Sequence, residues 1–340
     1  MAGPLASPAA IQRIAQASEG LGFDSVWLHD FIIWNEHLDR VHISCGSAEA
    51  VEQAGDYPPM FFESLSTLAF VAGVTSRVRL GIAVLCVPFR NPIITAKQIA
   101  TIDTLSGGRM ILGIGTGAAK SVGNLDFEVL GVSRANKYGV TRDYVGAMQA
   151  VWEGASAYSG PFVQFEEATI YPLPAQRPHP PLWLGGAGPK ALAMAGEFGD
   201  GWIPGRVSVE EYPRRIAEIH EHAARSGRTL NGFTVASEIY ACIGETDAVA
   251  RSKAERTIET VVSRGGFGTV AAQESFASHA LIGNADTLAE KVASYARAGV
   301  EHFELKFIYQ SVDDLIEQLE IFSSGVAEPV RRALTPSGER

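Results

Sequence analysis

A glycine-rich segment late in the chain, G-G-A-G-P-K at residues 185–190, joins an apolar run to a helical pattern. The first turn of a helix carries free backbone N–H groups and the positive end of the helix dipole, and small residues let an anion approach closely. The segment therefore predicts a phosphate site, with a plain tight turn as the alternative. The predicted contacts come from Gly185, Gly186, Ala187 and Gly188.

A second glycine pair, in G-T-G at residues 115–117, ends another apolar run. Glycine lets a ligand approach the backbone closely, and a threonine hydroxyl can hydrogen-bond a cofactor. Thr116 and Gly117 are therefore predicted cofactor contacts, and a simple turn between a strand and a helix is the alternative.

Asp30 and Trp34 are the candidate catalytic residues. Asp30 follows a short apolar run, where its carboxylate would face the mouth of a barrel and orient or protonate a substrate. Capping a helix is the alternative role for Asp30. Trp34, like Trp27, has a ring suited to stacking on a flat cofactor, although aromatic residues more often belong to the core.

Other kinds of catalytic site find little support in the sequence. The cluster Glu36, His37, Asp39 and His42 fits no zinc-binding spacing, so a solvated loop is favoured and no metal is predicted. No G-x-S-x-G motif marks a serine hydrolase. Cys86 ends a strand without a nearby histidine, which is typical of a buried thiol.

Residues 78–117 show which elements must position these groups. Two runs, V-R-L-G-I-A-V-L-C-V and I-L-G-I-G-T-G, are apolar at nearly every position and flank a helical pattern. Strands buried on both faces look like this, and they occur in parallel sheets. Because chemistry in parallel α/β folds lies at the carboxyl ends of strands, the site is expected where these runs end.

Seven strands are predicted along the chain, near residues 25, 80, 111, 182, 201, 237 and 304, and a helical pattern follows nearly every one. Repeated β-then-α units predict a parallel sheet, and a closed barrel needs eight strands. The chain opens with a helix start at Ser7-Pro8 and shows no first strand, so either the barrel lacks that strand or this sequence starts late. We predict one TIM-like (β/α)8 barrel domain over residues 1–340, with insertions at about 31–60, 117–137 and 155–180.

Composition predicts the partners and the cellular location of this barrel. The 340 residues are 46% hydrophobic and 19% charged, with a net charge of −10 and no Lys/Arg cluster, so neither nucleic acid nor an anionic membrane is an expected partner. Three widely spaced cysteines do not suggest a disulfide framework. No signal-peptide pattern is visible, and the apolar runs fall short of the ~20 residues of a membrane span. A cytoplasmic protein is expected.

Several strings together resemble the bacterial luciferase-like monooxygenase superfamily over roughly residues 8–325. They are G-F-D-S-V-W-L-H-D, R-V-R-L-G-I-A-V-L-C-V-P-F-R-N-P, A-K-Q-I-A-T-I-D-T-L-S-G-G-R-M-I-L-G-I-G-T-G, D-F-E-V-L-G-V and P-P-L-W-L-G-G-A-G-P…G-D-G-W-I-P. The resemblance implies a TIM-like barrel, usually a homodimer, that binds FMN or the deazaflavin coenzyme F420 at its carboxyl face.

The resemblance also implies which residues hold that cofactor. In the family the ring leans on a strand bulge, often with a non-proline cis peptide, and the matching residues are Ala83 and Val84, on toward Cys86. The phosphate is held on backbone amides of residues 185–188. The L-S-G-G-R string at residues 105–109 is most common among members thought to use F420, which favours F420 over FMN.

Two departures from the family limit what is implied. Members that oxidise alcohols with F420 tend to carry Asp-His where this chain has Asp30-Phe31, and sugar-phosphate dehydrogenases place Glu where it has Ala118. Those activities are therefore not predicted.

The predicted function is an oxidoreductase that uses F420 or FMN for hydride transfer or monooxygenation of a small organic substrate. With FMN, a separate flavin reductase and O2 would take part. The alternative is a flavin-binding barrel that has lost turnover, which the departures at Phe31 and Ala118 and the missing first strand would explain. The sequence does not identify the substrate.

Overall fold

The computed structural model describes residues 5–33, 61–117, 125–263 and 279–334. Its strands are β1 (Ser25–Leu28), β2 (Arg79–Cys86), β3 (Met110–Gly115), β4 (Tyr158–Ser159), β5 (Gln164–Phe165), β6 (Leu182–Gly185), β7 (Gly201–Ile203), β8 (Thr234–Ile243), β9 (Leu281–Gly283) and β10 (His302–Phe307). Its α-helices are α1 (Pro8–Gly20), α2 (Ser64–Val74), α3 (Pro92–Leu105), α4 (Leu125–Val129), α5 (Lys137–Trp152), α6 (Pro189–Phe198), α7 (Tyr212–Arg225), α8 (Asp247–Ser263), α9 (Ala285–Arg297), α10 (Val312–Phe322) and α11 (Glu328–Leu334).

The main sheet is parallel throughout and follows the order β1-β2-β3-β6-β7-β8-β10. These are the seven strands predicted from the sequence. β9 is an addition that the sequence did not predict, and it pairs with the carboxyl end of β8. β4 and β5 form a separate antiparallel hairpin within the predicted insertion at about 155–180.

Aromatic rings show that the sheet curls on itself. The ring centroid of Trp27 in β1 lies 5.4 Å from that of Trp183 in β6, and His302 in β10 lies 5.6 Å and 5.0 Å from these two rings. These three strands are not neighbours in the sheet. Their inner side chains can meet only because the sheet bends into a barrel-like shell, which confirms the TIM-like class of fold.

Apolar side chains on the outer face of the shell pack against the helices. Leu80, Ile82, Leu112 and Ile114 alternate with inward residues along β2 and β3 and belong to one large buried cluster. The predicted start of α1 is also confirmed, because the Ser7 side chain accepts a hydrogen bond from the amide of residue 10 and Pro8 follows it. Among the described helices, none has the length and apolar composition that a membrane crossing requires.

β1 and β10 lie at the two ends of the strand path. Among the described residues no strand pairs with the outer edge of either, and a cleft of about 200 Å³, partly open to solvent, runs between them. Side chains bridge this gap: Ser25 Oγ lies 3.0 Å from His302 Nε2, and His29 Nε2 lies 3.7 Å from Glu304 Oε1. We call this gap the seam. A closed eight-stranded barrel would place one further strand at this position.

Candidate active site

The carboxyl half of β2 contains a bulge. Ile82 pairs with Leu112 and Leu85 pairs with Ile114, so three steps along β2 match two along β3. The extra residue falls at Ala83-Val84, which are joined by a cis peptide bond. The bulge that the resemblance implied is therefore present at the expected residues. Its contact with a cofactor remains a prediction.

Glycines on β3 and on β6, the next strand beyond it, make room for the bulge. A Cβ atom at Gly113 would stand 2.1 Å from the Ile82 carbonyl oxygen, and one at Gly115 would stand 2.5 Å from Val84 Cγ2. A Cβ atom at Gly185 would stand 2.8 Å from Val84 Cγ1. The glycines of β3 and β6 thus have a packing reason, in addition to the ligand approach that the sequence suggested.

The same packing applies to one predicted cofactor contact. A Cβ atom at Gly117 would meet the rings of Phe127 and Phe89 at 2.6 Å and 3.2 Å, and the Gly117 carbonyl accepts a hydrogen bond from Lys137 Nζ at 2.7 Å. Thr116 precedes it at the carboxyl end of β3 and is half-buried. Both residues lie at the mouth of the shell, and their part in binding remains a prediction.

The glycine-rich turn 185–188 leads into α6 and is rich in nearby cations. Gly188 is the N-cap of α6, carries no capping side chain and has open space where a Cβ atom would stand. Lys190 and Lys137 each place Nζ within 5.4 Å of the Tyr138 ring centre. Arg215 of α7 donates a hydrogen bond to the Ala187 carbonyl. An uncapped helix start with cations beside it fits a phosphate group.

The L-S-G-G-R string lies at the opposite end of the shell. Arg109 is buried just before β3 and donates hydrogen bonds to the carbonyls of Ala72, Thr75, Val78 and Ser106. It joins the loop before β2 to the loop before β3. Because these loops precede the strands, Arg109 lies away from the carboxyl ends, and its link to F420 comes from the family resemblance and not from a contact.

Replacing Arg109 by lysine should therefore lower stability without weakening cofactor binding. Lysine cannot reach all four carbonyls, and buried carbonyls left without a donor cost about 1–3 kcal/mol each in the worst case, so we expect a loss of about 3 kcal/mol. Urea denaturation measures this loss. Arg77→Lys at an exposed neighbouring site is the control and should change stability by less than about 0.5 kcal/mol. A weakened cofactor affinity in a stable Arg109→Lys variant would contradict this assignment.

Asp30 is held in a dense hydrogen-bond network. Its carboxylate, with 1% of the side chain exposed, receives both arms of the Arg90 guanidinium at 2.6 Å and 2.7 Å. Ser64 Oγ and the Cys86 amide donate to it at 3.0 Å and 2.9 Å. Asp30 thereby fastens the end of β1 to the end of β2, directly after the bulge.

The remaining predicted positions lie outside the described residues. These are Trp34, Ala118 and the loop cluster Glu36, His37, Asp39 and His42. Within the part of the chain that the structure describes, no group of three or more His, Cys, Asp or Glu side chains could hold a metal ion.

A cluster of charged side chains that was not predicted from the sequence lies inside the shell. On β10, His302, Glu304 and Lys306 alternate with outward apolar residues. Lys306 Nζ forms an ion pair with Glu238 of β8 and lies 5.4 Å from the Tyr240 ring centre. The pattern H-F-E-L-K-F was the available signal, because a strand buried on both faces is normally apolar at every position.

His29 connects this cluster to the bulge. Its Nδ1 lies 2.6 Å from the Ala83 carbonyl oxygen, so Nδ1 carries the proton and donates it. Nε2 then presents a lone pair toward Glu304 Oε1, 3.7 Å away, which is longer than a direct hydrogen bond. Burial holds the pKa of His29 well below its ordinary value, so the imidazole is neutral at physiological pH.

The same surroundings shift the pKa values of Glu304 and Lys306 on β10. Burial raises the pKa of Glu304 to about 8, and nearby Lys306 only partly opposes this rise. Burial by itself would lower the pKa of Lys306, but the facing carboxylate of Glu238 raises it above its ordinary value. The interior therefore holds a charged lysine beside a neutral carboxylic acid at pH 7.

Comparison with known proteins gives a consistent result. The sequence profile of the luciferase-like monooxygenase family matches residues 1–302. The 5,10-methylenetetrahydromethanopterin reductase of Methanopyrus kandleri is 24% identical, over 86% of this chain and 87% of the relative. The FMNH2-dependent dimethylsulfone monooxygenase of Pseudomonas putida is 25% identical, over 85% and 89%.

A solved structure extends the likeness to the fold. An F420-dependent secondary alcohol dehydrogenase, solved in complex with an F420-acetone adduct, superposes with a TM-score of 0.76 at 19% identity. The match covers 95% of both chains. Identity at this level supports the barrel architecture alone.

Proposed function

Because this chain belongs to the luciferase-like monooxygenase family, we propose that it is an oxidoreductase that binds F420 or FMN at the carboxyl end of its barrel. The cofactor would exchange hydride with a small organic substrate. One observation carries the proposal: the bulge at Ala83-Val84 and the glycine-rich turn before α6 adjoin each other, since Gly185 packs against Val84. The residues proposed to support the ring and the turn proposed to bind the phosphate therefore lie next to each other at the carboxyl end of the barrel.

The residues at this mouth fit such a cofactor. Backbone amides of the turn 185–188, with Lys190 and Arg215 beside it, would hold the phosphate. Ala83 and Val84 would support one face of the ring. When bound, the cofactor would supply two-electron transfer at its C5 or N5 position, and the protein supplies placement and electrostatics.

Asp30 takes a positioning role in this proposal. A carboxylate that already accepts four hydrogen bonds is poorly suited to giving or taking a proton. Its pairing with Arg90 instead fixes the strand that carries the bulge. Trp34, which lies outside the described residues, keeps its predicted role of stacking on the cofactor ring, and Thr116 and Gly117 keep theirs as cofactor contacts.

F420 remains our preferred cofactor, on the family resemblance and on a relative solved as a coenzyme F420-dependent reductase. FMN is the second choice, supported by the FMNH2-dependent relative. With FMN, a separate reductase would supply the reduced form and O2 would be consumed in a monooxygenation. A homodimer is expected with either cofactor.

Fluorescence titration with F420 and with FMN tests the proposal. Saturable binding of one of them, followed by turnover with its reduced form, would support it. Binding without any turnover would favour a flavin-binding barrel without catalysis. Failure to bind either cofactor would reject the proposal.

A matched pair of variants tests the phosphate site. Gly188→Asp would place a carboxylate at the start of α6, where repulsion of a phosphate is worth about 1–4 kcal/mol, so affinity should fall about tenfold or more. Gly188→Asn has the same shape without the charge and should bind nearly normally. Both residues are good N-caps, so neither variant should unfold α6. Equal affinity of the two variants would place the phosphate elsewhere.

A further inference from the structure

Glu304 is a buried acid that the proposed function has not used. Its side chain is 4% exposed and lines the cleft at the seam. Among the described residues its Oε2 atom has no hydrogen-bond partner, although Oε1 lies 3.7 Å from His29 Nε2. Buried polar atoms are nearly always hydrogen-bonded, so an unpartnered carboxyl oxygen on a residue that lines a cleft suggests that a ligand supplies the missing partner.

Titratable and charged groups surround Glu304 from three strands. Lys306 and His302 lie on its own strand, β10, on the same face. Glu238 and Tyr240 face it from β8, where Glu238 is the ion-pair partner of Lys306. His29, just after the end of β1, is the fifth group.

Building on the proposed function, we propose that Glu304 is the proton-handling group of the site, acting on a substrate with a polar double bond such as a carbonyl. When bound, the reduced cofactor would supply hydride to the carbonyl carbon, and the C=O electron pair would move onto the oxygen. Glu304 would give that oxygen its proton. An alcohol and a Glu304 carboxylate would result, the cofactor would be left oxidised, and solvent would then restore the proton to Glu304.

Glu304 is better placed to give the proton than its neighbours are, because the neighbours' own polar groups are already engaged. Glu238 is engaged by Lys306, and the Nδ1 proton of His29 is engaged by the Ala83 carbonyl. Lys306 stands beside Glu304 and stabilises the carboxylate that remains after proton transfer. The raised pKa of Glu304, caused by its burial, keeps the acid loaded at neutral pH.

Infrared spectroscopy of the purified protein without substrate tests the protonation state directly. The wild type should show the C=O stretch of a buried carboxylic acid at pH 6 and lose it with a midpoint near pH 8, whereas Glu304→Gln should lack this band. Glu238→Gln should keep the band and shift its midpoint to lower pH, because the charge of Glu238 helps to raise the pKa of Glu304. A wild type without the band at pH 6 would overturn the proposal.

Stability gives a second readout that does not need activity. An acid with a raised folded-state pKa stabilises the fold below its unfolded value of 4.5 and loses that contribution as pH rises through about 8. The stability of Glu304→Gln relative to the wild type should therefore increase from pH 5 to pH 9. A pH-independent difference would count against the proposal.

Steady-state kinetics separates this proposal from the proposed function. With cofactor binding unchanged, Glu304→Gln should lower kcat by about 10²–10⁴-fold, with little change in KM, and abolish the inflection near pH 8. Full activity of Glu304→Gln would overturn the role of Glu304 and leave the oxidoreductase intact. Failure of the wild type to bind either cofactor would instead reject the proposed oxidoreductase function.

Discussion

Replacing Gly113 by alanine should cost about 3 kcal/mol or more of the free energy of unfolding, at or beyond the upper end for overpacking a core. The new Cβ atom would stand 2.1 Å from the Ile82 carbonyl oxygen and 3.0 Å from Val84 Cγ1. The first of these atoms belongs to the backbone of the neighbouring strand. The clash can therefore be relieved only by moving β2 and its bulge, so we also expect weaker cofactor binding.

Gly73 provides a matched control for this replacement. It lies in α2, is exposed, and has no atom within 4 Å of where a Cβ atom would stand. Gly73→Ala should stabilise the protein by about 0.5–1 kcal/mol, because alanine is the better helix former. Chemical denaturation of both variants measures the difference. A Gly113→Ala variant as stable as the wild type would show that the bulge adjusts easily, contrary to the packing described above.

Asp30→Asn should destabilise the protein by about 3 kcal/mol, since it leaves the largely buried guanidinium of Arg90 with Glu63, at 3.4 Å, as its remaining counter-charge among the described residues. Adding Arg90→Met should cost less than the sum of the two single replacements, because each single replacement strands the partner. A double-mutant cycle followed by urea denaturation measures this coupling.

The same variant separates the two roles considered for Asp30. If Asp30 only positions the bulge, turnover and stability should fall together in Asp30→Asn, and the pH profile of kcat should keep its shape. If Asp30 is the proton donor that the sequence suggested, the variant would lose turnover while remaining as stable as the wild type. That second outcome would also weaken the case for Glu304.

The sheet was largely predictable because its strands carry their own signal. β2 and β3 are apolar at nearly every position, and helical patterns follow the predicted strands closely. β9 was missed because Leu281–Gly283 is three residues long, which is too short for any periodicity to show. Its place is fixed by pairing with the end of β8, a tertiary contact that no local pattern encodes.

The site was predictable only in part. The residues of the bulge, Ala83 and Val84, followed from the family resemblance and the structure shows the bulge there. The interior cluster was missed because its meaning depends on pairs far apart in sequence, such as Glu238 with Lys306. Local sequence does not say which face of β10 turns inward, and Glu304 becomes an unusual acid only through that orientation.

The packing role of the glycines in the G-I-G-T-G string could not be predicted from the sequence either. A glycine at the end of a strand is equally compatible with a nearby ligand and with a nearby protein atom. Gly113 and Gly115 have the Ile82 carbonyl and the Val84 side chain in that space. Only the register between β2 and β3 reveals this, because the register brings the bulge opposite the glycines.

The seam has a consequence for local opening of the fold. β1 has four residues and, among the described strands, pairs only with β2, whereas β3 and β6 are paired on both sides. Opening free energies are lowest where backbone hydrogen bonds are few, so amide hydrogen exchange should be faster in β1 than in β3. Glu304 and His29 face each other across this gap. Opening of β1 would widen the cleft that Glu304 lines, so water would reach the buried acid more readily and return its proton sooner.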